Sequence, residues 1–546
     1  MDWLRKRVAD GSLLFGLLPI VYFLLYGFDG FADTDQGFVP GLAWRVHQGQ
    51  VPYLDFIYVR PPLTPVLHAL ELWLWPLEGQ MLGMRFDFYL MMAGSVLFGI
   101  LTLRRWFDFH GLGIQPWMLG VLAFLFGVHN FPAMPWHTVD GIFFGSLGIW
   151  LVTHPNSVWQ MVFGLFALAL AGLAKQPFAV MLPLGFLWII WAQYRQNKIL
   201  KISLIAIGGM ATTTGCLLLL LPNGFAKAML NQVSGASSWS DLANVGFIGY
   251  LLPLAFFIVS TGVLFKLGGK ANPSRQIWLG RALLAGFALI PMAHAGLAFW
   301  KMEFVPPRLG YCHVLLLAGF AYAILQWRPY QRVSASALLM MCALSWASSI
   351  SWGYAMPAQF ALPGLFGLFG LLRMALPGFK IGNVAMRWLA GLVFVGFFLL
   401  NLLPYRDAPR WELKAGAGEI FPQLAGISVG PETLEKLHSL KALDLAYNGK
   451  IAIFPAQPGF SYLTQRQPML DVDWEHDAEI GPANMAAFLQ DLNTSSIFVA
   501  IEKSRTGEAN SANAHYGSQV LKAVLDHWTK VDSVPHFDVY ALHPSP

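Results

Sequence analysis

Over most of its length the chain strings apolar runs together with short polar joints, and toward its C-terminus the period changes. A helix that crosses a bilayer needs about 20 mostly apolar residues. Runs of that kind sit near 12–28, 84–103, 115–132, 137–153, 158–174, 177–194, 202–222, 245–265, 278–300, 309–326, 333–352, 358–373 and 388–404. The pattern predicts a polytopic α-helical membrane bundle of about 13 transmembrane helices by that length rule. The first run reads as a retained anchor, because it leads straight into an acidic loop with no small-residue cleavage site. That loop, 29–83, is the longest polar interruption between the early spans.

From Arg406 onward the pattern is that of a soluble fold. Leu434, Leu437, Leu440 and Leu443 make one stripe of a helix over 432–446, followed by a buried-strand run at 451–454 that ends at Pro455. A second helix near 484–492 leads to the apolar run 496–501, and a third near 519–528 leads to 537–542. Helices alternating with short apolar strands predict a small α/β layer fold. The chain therefore divides into a membrane part, 1–405, and a soluble α/β domain, 406–546. It carries no internal repeat, low-complexity tract or nucleotide-binding glycine motif, and nothing in it calls for nucleic acid.

Composition fits this division: 56% of residues are hydrophobic, 12% are charged and the mean hydropathy is +0.52, which excludes an all-soluble protein and implies membrane lipids as partners. Charge adds orientation. Through Tyr405 there are 24 Lys and Arg against 13 Asp and Glu, a net +11, whereas the rest has 11 against 17, a net −6. Arg5, Lys6 and Arg7, then Arg104 and Arg105, Arg195, Lys198 and Lys201, Lys266, Lys270 and Arg275, Arg328 and Arg332, and Arg373, Lys380 and Arg387 mark alternate joints. The positive-inside rule then puts the N-terminus in the cytoplasm, and an odd number of spans puts the soluble domain outside. In a bacterium this is the inner membrane with a periplasmic C-terminal domain. Cys216, Cys312 and Cys342 all lie in apolar segments, so no disulfide framework is expected.

The bases left on the outer side, Arg45, Arg60, Arg85, Lys175, Lys227, Lys301 and Arg308, share it with Asp33, Asp35, Asp55, Asp87, Asp140 and Glu303. Charges at a bilayer edge are costly unless they face water or a polar ligand, so the cluster points to a site. Asp35 suits a general base or, more plainly, an N-cap for a helix over 39–47. Asp33 is its rival. Together the two are hard oxygen ligands suited to a divalent metal. Gly49, Pro52 and Tyr53 are turn residues that fold the loop back. Arg60, Arg85, Lys175 and Arg308 are outer bases suited to an anionic group, with snorkelling as the alternative for each. Asp55, Asp140, His137 and Tyr53 are candidates for positioning a substrate, although Asp140 also fits an N-cap. The spacing of His47, His129 and His137 matches no metal-ligand pattern.

The string Asp35-Gln-Gly, then Gly49-Gln-Val-Pro-Tyr-Leu-Asp55-Phe, then Arg60-Pro-Pro-Leu63 resembles the first external loop of GT-C membrane glycosyltransferases. The likeness is to the family 39 type, which includes protein O-mannosyltransferases and lipid A aminoarabinose transferases. It extends to Arg85, Asp140, Gly172-Leu-Ala-Lys175-Gln and the segment from Phe454 to Arg466; where the family often has Asp-Glu, this chain has Asp35-Gln36. The resemblance implies a GT-C fold and an inverting transfer of a sugar from a polyprenyl-phosphate donor to a glycan, lipid or protein acceptor on the outer face, a reaction in which Asp35, with Asp33 as rival, would be the base and Arg60, Arg85, Lys175 and Arg308 would meet the donor phosphate. A lipid-linked glycan polymerase or ligase would share the donor. A secondary transporter would show paired halves with broken helices, which this pattern lacks.

Overall fold

The computed structural model describes residues 13–542 apart from 155–156, 195–203, 205–206, 212–221, 235–245, 304–309, 351–355 and 512–516. Arg308, Cys216 and most of the run 202–222 lie outside the described residues. The chain is mostly helical, with a small sheet near its C-terminus.

The bundle comprises α1 (Leu14–Tyr26), α4 (Gln80–Trp106), α5 (Pro116–His129), α6 (His137–Thr153), α7 (Val158–Ala174), α8 (Met181–Tyr194), α10 (Leu251–Lys270), α11 (Pro273–Lys301), α12 (Tyr311–Leu325), α13 (Arg332–Ser349), α14 (Leu362–Ala375) and α15 (Asn383–Leu400). Between α1 and α4 lie two further helices, α2 (Asp35–His47) and α3 (Leu63–Leu74), and α9 (Phe225–Ser234) precedes α10. By length and composition α4, α11 and the stretch Ile248–Lys270 are each able to cross a membrane, while α1, α5, α7, α12 and α14 are apolar but shorter. Leu252, Phe256, Ile258 and Val259 of α10 all face outward. A helix that exposes so many large apolar side chains requires an apolar solvent.

The two ends of the bundle differ. At one end the joints holding Lys266 to Lys270, Arg373 to Lys380 and the turn at Gly113 touch each other: Gln276 Nε2 donates to Gly268 O at 2.9 Å, and Gly113 lies against Lys380. The opposite end carries the start of α6, the end of α7 and the acidic loop, and there the C-terminal part docks.

That part is a three-layer α/β/α arrangement. Its sheet runs β3 (Ile451–Phe454), β4 (Phe498–Glu502), β6 (Phe537–Ala541), β5 (Thr529–Ser533), with β3 parallel to β4 and the other pairs antiparallel. Ile451, Ile453, Ala500, Phe537 and Val539 pack on one face with Leu437, Leu440 and Leu443 of α16 (Pro431–Tyr447). Ala452, Phe454, Val499 and Ile501 pack on the other with α17 (Met485–Thr494) and α18 (Gln519–His527). Burial on both faces is why these strands read as continuous apolar runs. β5 was not among the predicted strands. Its sequence, Thr-Lys-Val-Asp-Ser, is that of an exposed edge blunted by charge, with an irregular register between Lys530 and Asp532.

The acidic loop belongs to this domain as much as to the membrane part. A short two-stranded ribbon, β1 (Ala415–Gly416) with β2 (Ser428–Val429), is extended by the loop, since Gly30 N donates to Ser428 O and Ser428 N to Phe28 O. Ile57 N donates to Asp471 O, Trp44 Nε1 to Arg466 O, and Arg45 grips Asp473 with Nε at 2.5 Å and Nη2 at 2.9 Å. Helix α2 meets the segment at Pro458 and Gly459 backbone to backbone. A Cβ at Gly41 would lie 2.0 Å from Pro458 O and one at Gly37 2.9 Å from Gly459 Cα, so only glycine fits at either position. The apolar core of α16 and the sheet accordingly includes Phe31, Ala43 and Trp44 from the loop, Ala69 and Leu72 from α3, and Met81 and Met84 from α4.

Candidate active site

Helix α2 begins at Asp35 and is buried from there to Arg45. The Asp35 carboxylate is held at its Oδ2 alone: Tyr405 donates its hydroxyl at 2.6 Å and Arg406 Nη1 stands at 2.8 Å. No hydrogen bond to Oδ1 occurs among the described residues. Tyr405 and Arg406 follow α15 directly, so the joint between the two parts of the chain anchors this acid. Arg406 also donates to Thr34 Oγ1 at 2.8 Å.

Asp33 points the other way, into the C-terminal domain. It accepts from Gln457 at 2.7 Å and pairs with Lys436 at 2.6 Å, whose ammonium also contacts Glu502 at 2.9 Å. Burial alone would raise the Asp33 pKa, but Lys436 and Gln457 outweigh it and hold the carboxyl below its ordinary value. Asp33, Arg406, Lys436, Glu502, Lys503 and His536 line a polar cleft of 590 Å³ between the loop and the domain.

The cations gather elsewhere. Phe38, one turn after Asp35 in α2, carries the Arg60 guanidinium over its ring at 5.1 Å and packs edge-on against His137 and Trp474, with centroids at 5.9 and 5.0 Å. Both terminal nitrogens of Arg60 bond to Glu479, in the short helix Asp477–Ile480 of the C-terminal domain. Burial works against the Arg60 charge, but Glu479 more than compensates and keeps its pKa above the ordinary arginine value. Lys175, at the end of α7, lies within electrostatic reach of Arg60, and Nζ donates to Thr138 at 3.1 Å. The neighbouring Gln176 donates to Val59 O at 2.8 Å, which ties this joint to the loop strand bearing Arg60. His137 feels both Arg60 and Lys175; its Nδ1 and the Tyr58 hydroxyl are buried with no hydrogen-bond partner among the described residues. Unpaired buried polar atoms beside two cations suit a polar ligand.

Below this group runs a buried chain of bonds that the sequence pattern did not single out. Asp140, fully buried in the first turn of α6, accepts from Thr64 at 2.7 Å and stands 3.3 Å from His68 Nε2, while His68 Nδ1 stands 2.7 Å from Glu71. Carboxylates only accept, so an imidazole between two of them donates from both nitrogens and is an imidazolium. The His68 to Glu71 spacing of three positions on one helix was the available signal. Lys436, Tyr405, Arg406 and Glu479 gave none, since each reaches its partner across hundreds of residues of chain.

Other candidates bond to the chain around these groups. Arg85 spends its guanidinium on the chain around the end of α1, donating to Gly27 O at 2.7 Å, Gly30 O at 2.5 Å and Gln36 Oε1 at 2.9 Å. Asp55 accepts from Val51 N at 2.7 Å and closes its own exposed turn. Tyr53, at φ 69°, donates its hydroxyl to Arg60 O at 2.6 Å, so it shapes the turn carrying Arg60. The expected single cavity of acids and arginine is therefore divided: Asp33 lines the cleft, Asp35 is held by Tyr405 and Arg406 at the start of α2, and the cation group meets α2 one turn later at Phe38. The Oδ2 atoms of Asp33 and Asp35 are each taken by a cation and a hydrogen-bond donor, the two carboxylates bond to different partners, and no cluster of three metal-ligating side chains occurs among the described residues. The acid pair does not fit a divalent ion.

Glu475, next to Trp474, is buried in the C-terminal domain with Oε2 unpartnered among the described residues. Burial, helped by Asp473 and opposed by Arg45, raises its pKa well above the ordinary value. A carboxyl raised on folding binds its proton more tightly in the folded state. Its penalty is absent below the unfolded pKa and grows as pH rises through the window between the unfolded and folded values. Glu475→Gln is therefore expected to stabilise the protein at pH 8 by about 1–3 kcal/mol, the scale for an unmet buried polar group, and to have no such effect at pH 4. Thermal unfolding followed by tryptophan fluorescence at both pH values checks this.

No family model and no curated protein matches the chain. Among solved structures, the crystal structure of ArnT from Cupriavidus metallidurans bound to undecaprenyl phosphate is similar over 98% of this chain and 99% of its own, at 12% identity and a TM-score of 0.41.

Proposed function

We propose that the chain is an inverting glycosyltransferase that moves a sugar from a polyprenyl-phosphate-linked donor to a glycan, lipid or protein acceptor on the outer face of a bacterial inner membrane. The observation that carries this reading is the pair Arg60 and Lys175 beside the buried, unpartnered His137 Nδ1 and Tyr58 hydroxyl, with Arg60 over the ring of Phe38 one turn after Asp35. The first-loop resemblance and the gathering of basic joints at the far end of the bundle support it.

In this reaction the acceptor oxygen forms a bond to the anomeric carbon while the bond from that carbon to the phosphate oxygen breaks. The electron pair leaves with the lipid phosphate, and the acceptor proton goes to a base. Asp35 serves as that base: Tyr405 and Arg406 fix Oδ2, and Oδ1 is left for the acceptor hydroxyl. Arg60 and Lys175 take the negative charge that grows on the leaving phosphate, the task for which arginine's planar fork is suited. His137 and Tyr58 contact the phosphate or the sugar. Asp140 positions His137 and Thr138 through the first turn of α6. Asp33 holds the C-terminal domain against the loop. The polar cleft lined by Asp33 and by Arg406, the partner of Asp35, is the side from which a hydroxyl-rich acceptor approaches.

The test is transfer of labelled sugar from polyprenyl-phosphate donors by membranes containing the chain. Arg60→Ala at unchanged protein level should raise the KM for donor about tenfold or more, as expected when one charge-assisted contact worth roughly 1.5–3 kcal/mol is lost. Wild-type kinetics in that variant, or no transfer from any such donor by the intact chain, would overturn the reading.

A further inference from the structure

Arg60 already holds a ligand-like anion. Glu479 meets both terminal nitrogens of its guanidinium, the side-by-side arrangement in which arginine also takes two phosphate oxygens. The pair is largely shielded, with side-chain exposures of 16% and 15%, so the contact is not a loose surface pairing. One fork cannot hold a carboxylate and a phosphate in the same plane at once. Lys175, whose Nζ bonds to a neutral hydroxyl among the described residues, is not blocked in this way.

The carboxylate also comes from the other side of an interface. Glu479 lies in a helix of four residues that ends at Gly481, whose φ is 75°, and Gly481 packs near Val59 of the loop. Asp477, at the start of the same helix, accepts from Gln519 N at 2.8 Å, so the helix is tied back to α18 and moves with the C-terminal domain.

We propose that Glu479 is a latch: it occupies the Arg60 fork in the resting enzyme and is displaced when a phosphate ester of a polyprenyl lipid binds. This rests on the assignment of Arg60 to the donor phosphate. The consequence is that phosphate affinity is set by competition. The measured dissociation constant is the intrinsic one divided by the fraction of molecules in which the fork is open. The domain thereby gains a way to report donor occupancy, because release of Glu479 frees the short helix that bears it.

The experiment uses the full-length protein in nanodiscs with undecaprenyl phosphate as the probe. Four forms are compared: wild type, Glu479→Gln, Arg60→Ala and the double variant, with Asp477→Asn as a control for removing one negative charge nearby. Glu479→Gln should tighten binding by about tenfold, the change expected if roughly a tenth of the resting molecules have an open fork. Asp477→Asn should tighten it by less than about twofold at physiological salt, where exposed charges are screened. The double variant should bind like Arg60→Ala alone, since with no fork there is nothing to unlatch. If Arg60→Ala leaves binding unchanged, the phosphate assignment fails. If Arg60→Ala weakens binding but Glu479→Gln leaves it unchanged or weakens it, the assignment stands and the latch is overturned, with Glu479 then orienting Arg60.

Discussion

Asp35→Asn should lower the rate of sugar transfer by about 10²- to 10⁴-fold, the range for removing a positioned general base, while protein level and donor binding stay close to wild type. Asparagine keeps the oxygen that Tyr405 and Arg406 hold, because the amide can present its carbonyl where Oδ2 now stands. What it loses is the ability to take a proton. The loss should therefore fall on kcat and not on the KM for donor, whereas Arg60→Ala, which removes a contact to the donor phosphate and to the charge growing on it, should change both. Single-turnover transfer in membranes, with undecaprenyl phosphate binding measured alongside, separates the two. A variant that transfers at more than about a tenth of the wild-type rate would remove Asp35 from the role of base.

His68→Ala should unfold or strongly destabilise the protein. It would leave Glu71 and Asp140 as two buried carboxylates without the imidazolium between them, and breaking a buried pair by removing one partner costs about 3–5 kcal/mol. Glu71 is 6% exposed and Asp140 is fully buried, so water cannot take the place of the lost donor without opening the packing. Yield of folded protein and the midpoint of thermal unfolding measure the effect. Adding Glu71→Gln to His68→Gln removes one of the stranded charges and should recover part of the loss. A stable His68→Ala would overturn the reading that His68 holds the two acids together.

Many of the helices were legible because an apolar run had to supply a whole helix, and the ends of α6 and α7 fall where the runs 137–153 and 158–174 end, whereas α3 and α9 lie on no predicted run. Strands β3, β4 and β6 were legible for the related reason that a strand covered on both faces has no polar alternation to confuse it. β5 was hidden because an edge strand is selected for charge. Within the loop, Asp33, Asp35 and Arg60 stood out as charges at a bilayer edge, but their partners did not. Nothing in the text of the chain links Asp33 to Lys436, Asp35 to Arg406 or Arg60 to Glu479, because each pairing is created by the docking of a domain whose contact surface is written as scattered single residues. At Arg85 the sequence offers only a charge; in the fold its Nη nitrogens hold the carbonyls at the end of α1 and Gln36, and Nε is buried without a hydrogen-bond partner among the described residues.

The contacts of Arg45 with Asp473, of Phe31 N with Asp407 and of Asp33 with Gln457 join residues made early in synthesis to residues made near its end. The loop after α1 leaves the ribosome long before the surface that gives it shape exists. Until the last domain has folded, its buried arginine and aspartates have only water as company. The shape of this loop is therefore a late event of folding, and a chain that stops before Asp407 lacks the partners that fix Phe31, Asp33 and Arg45.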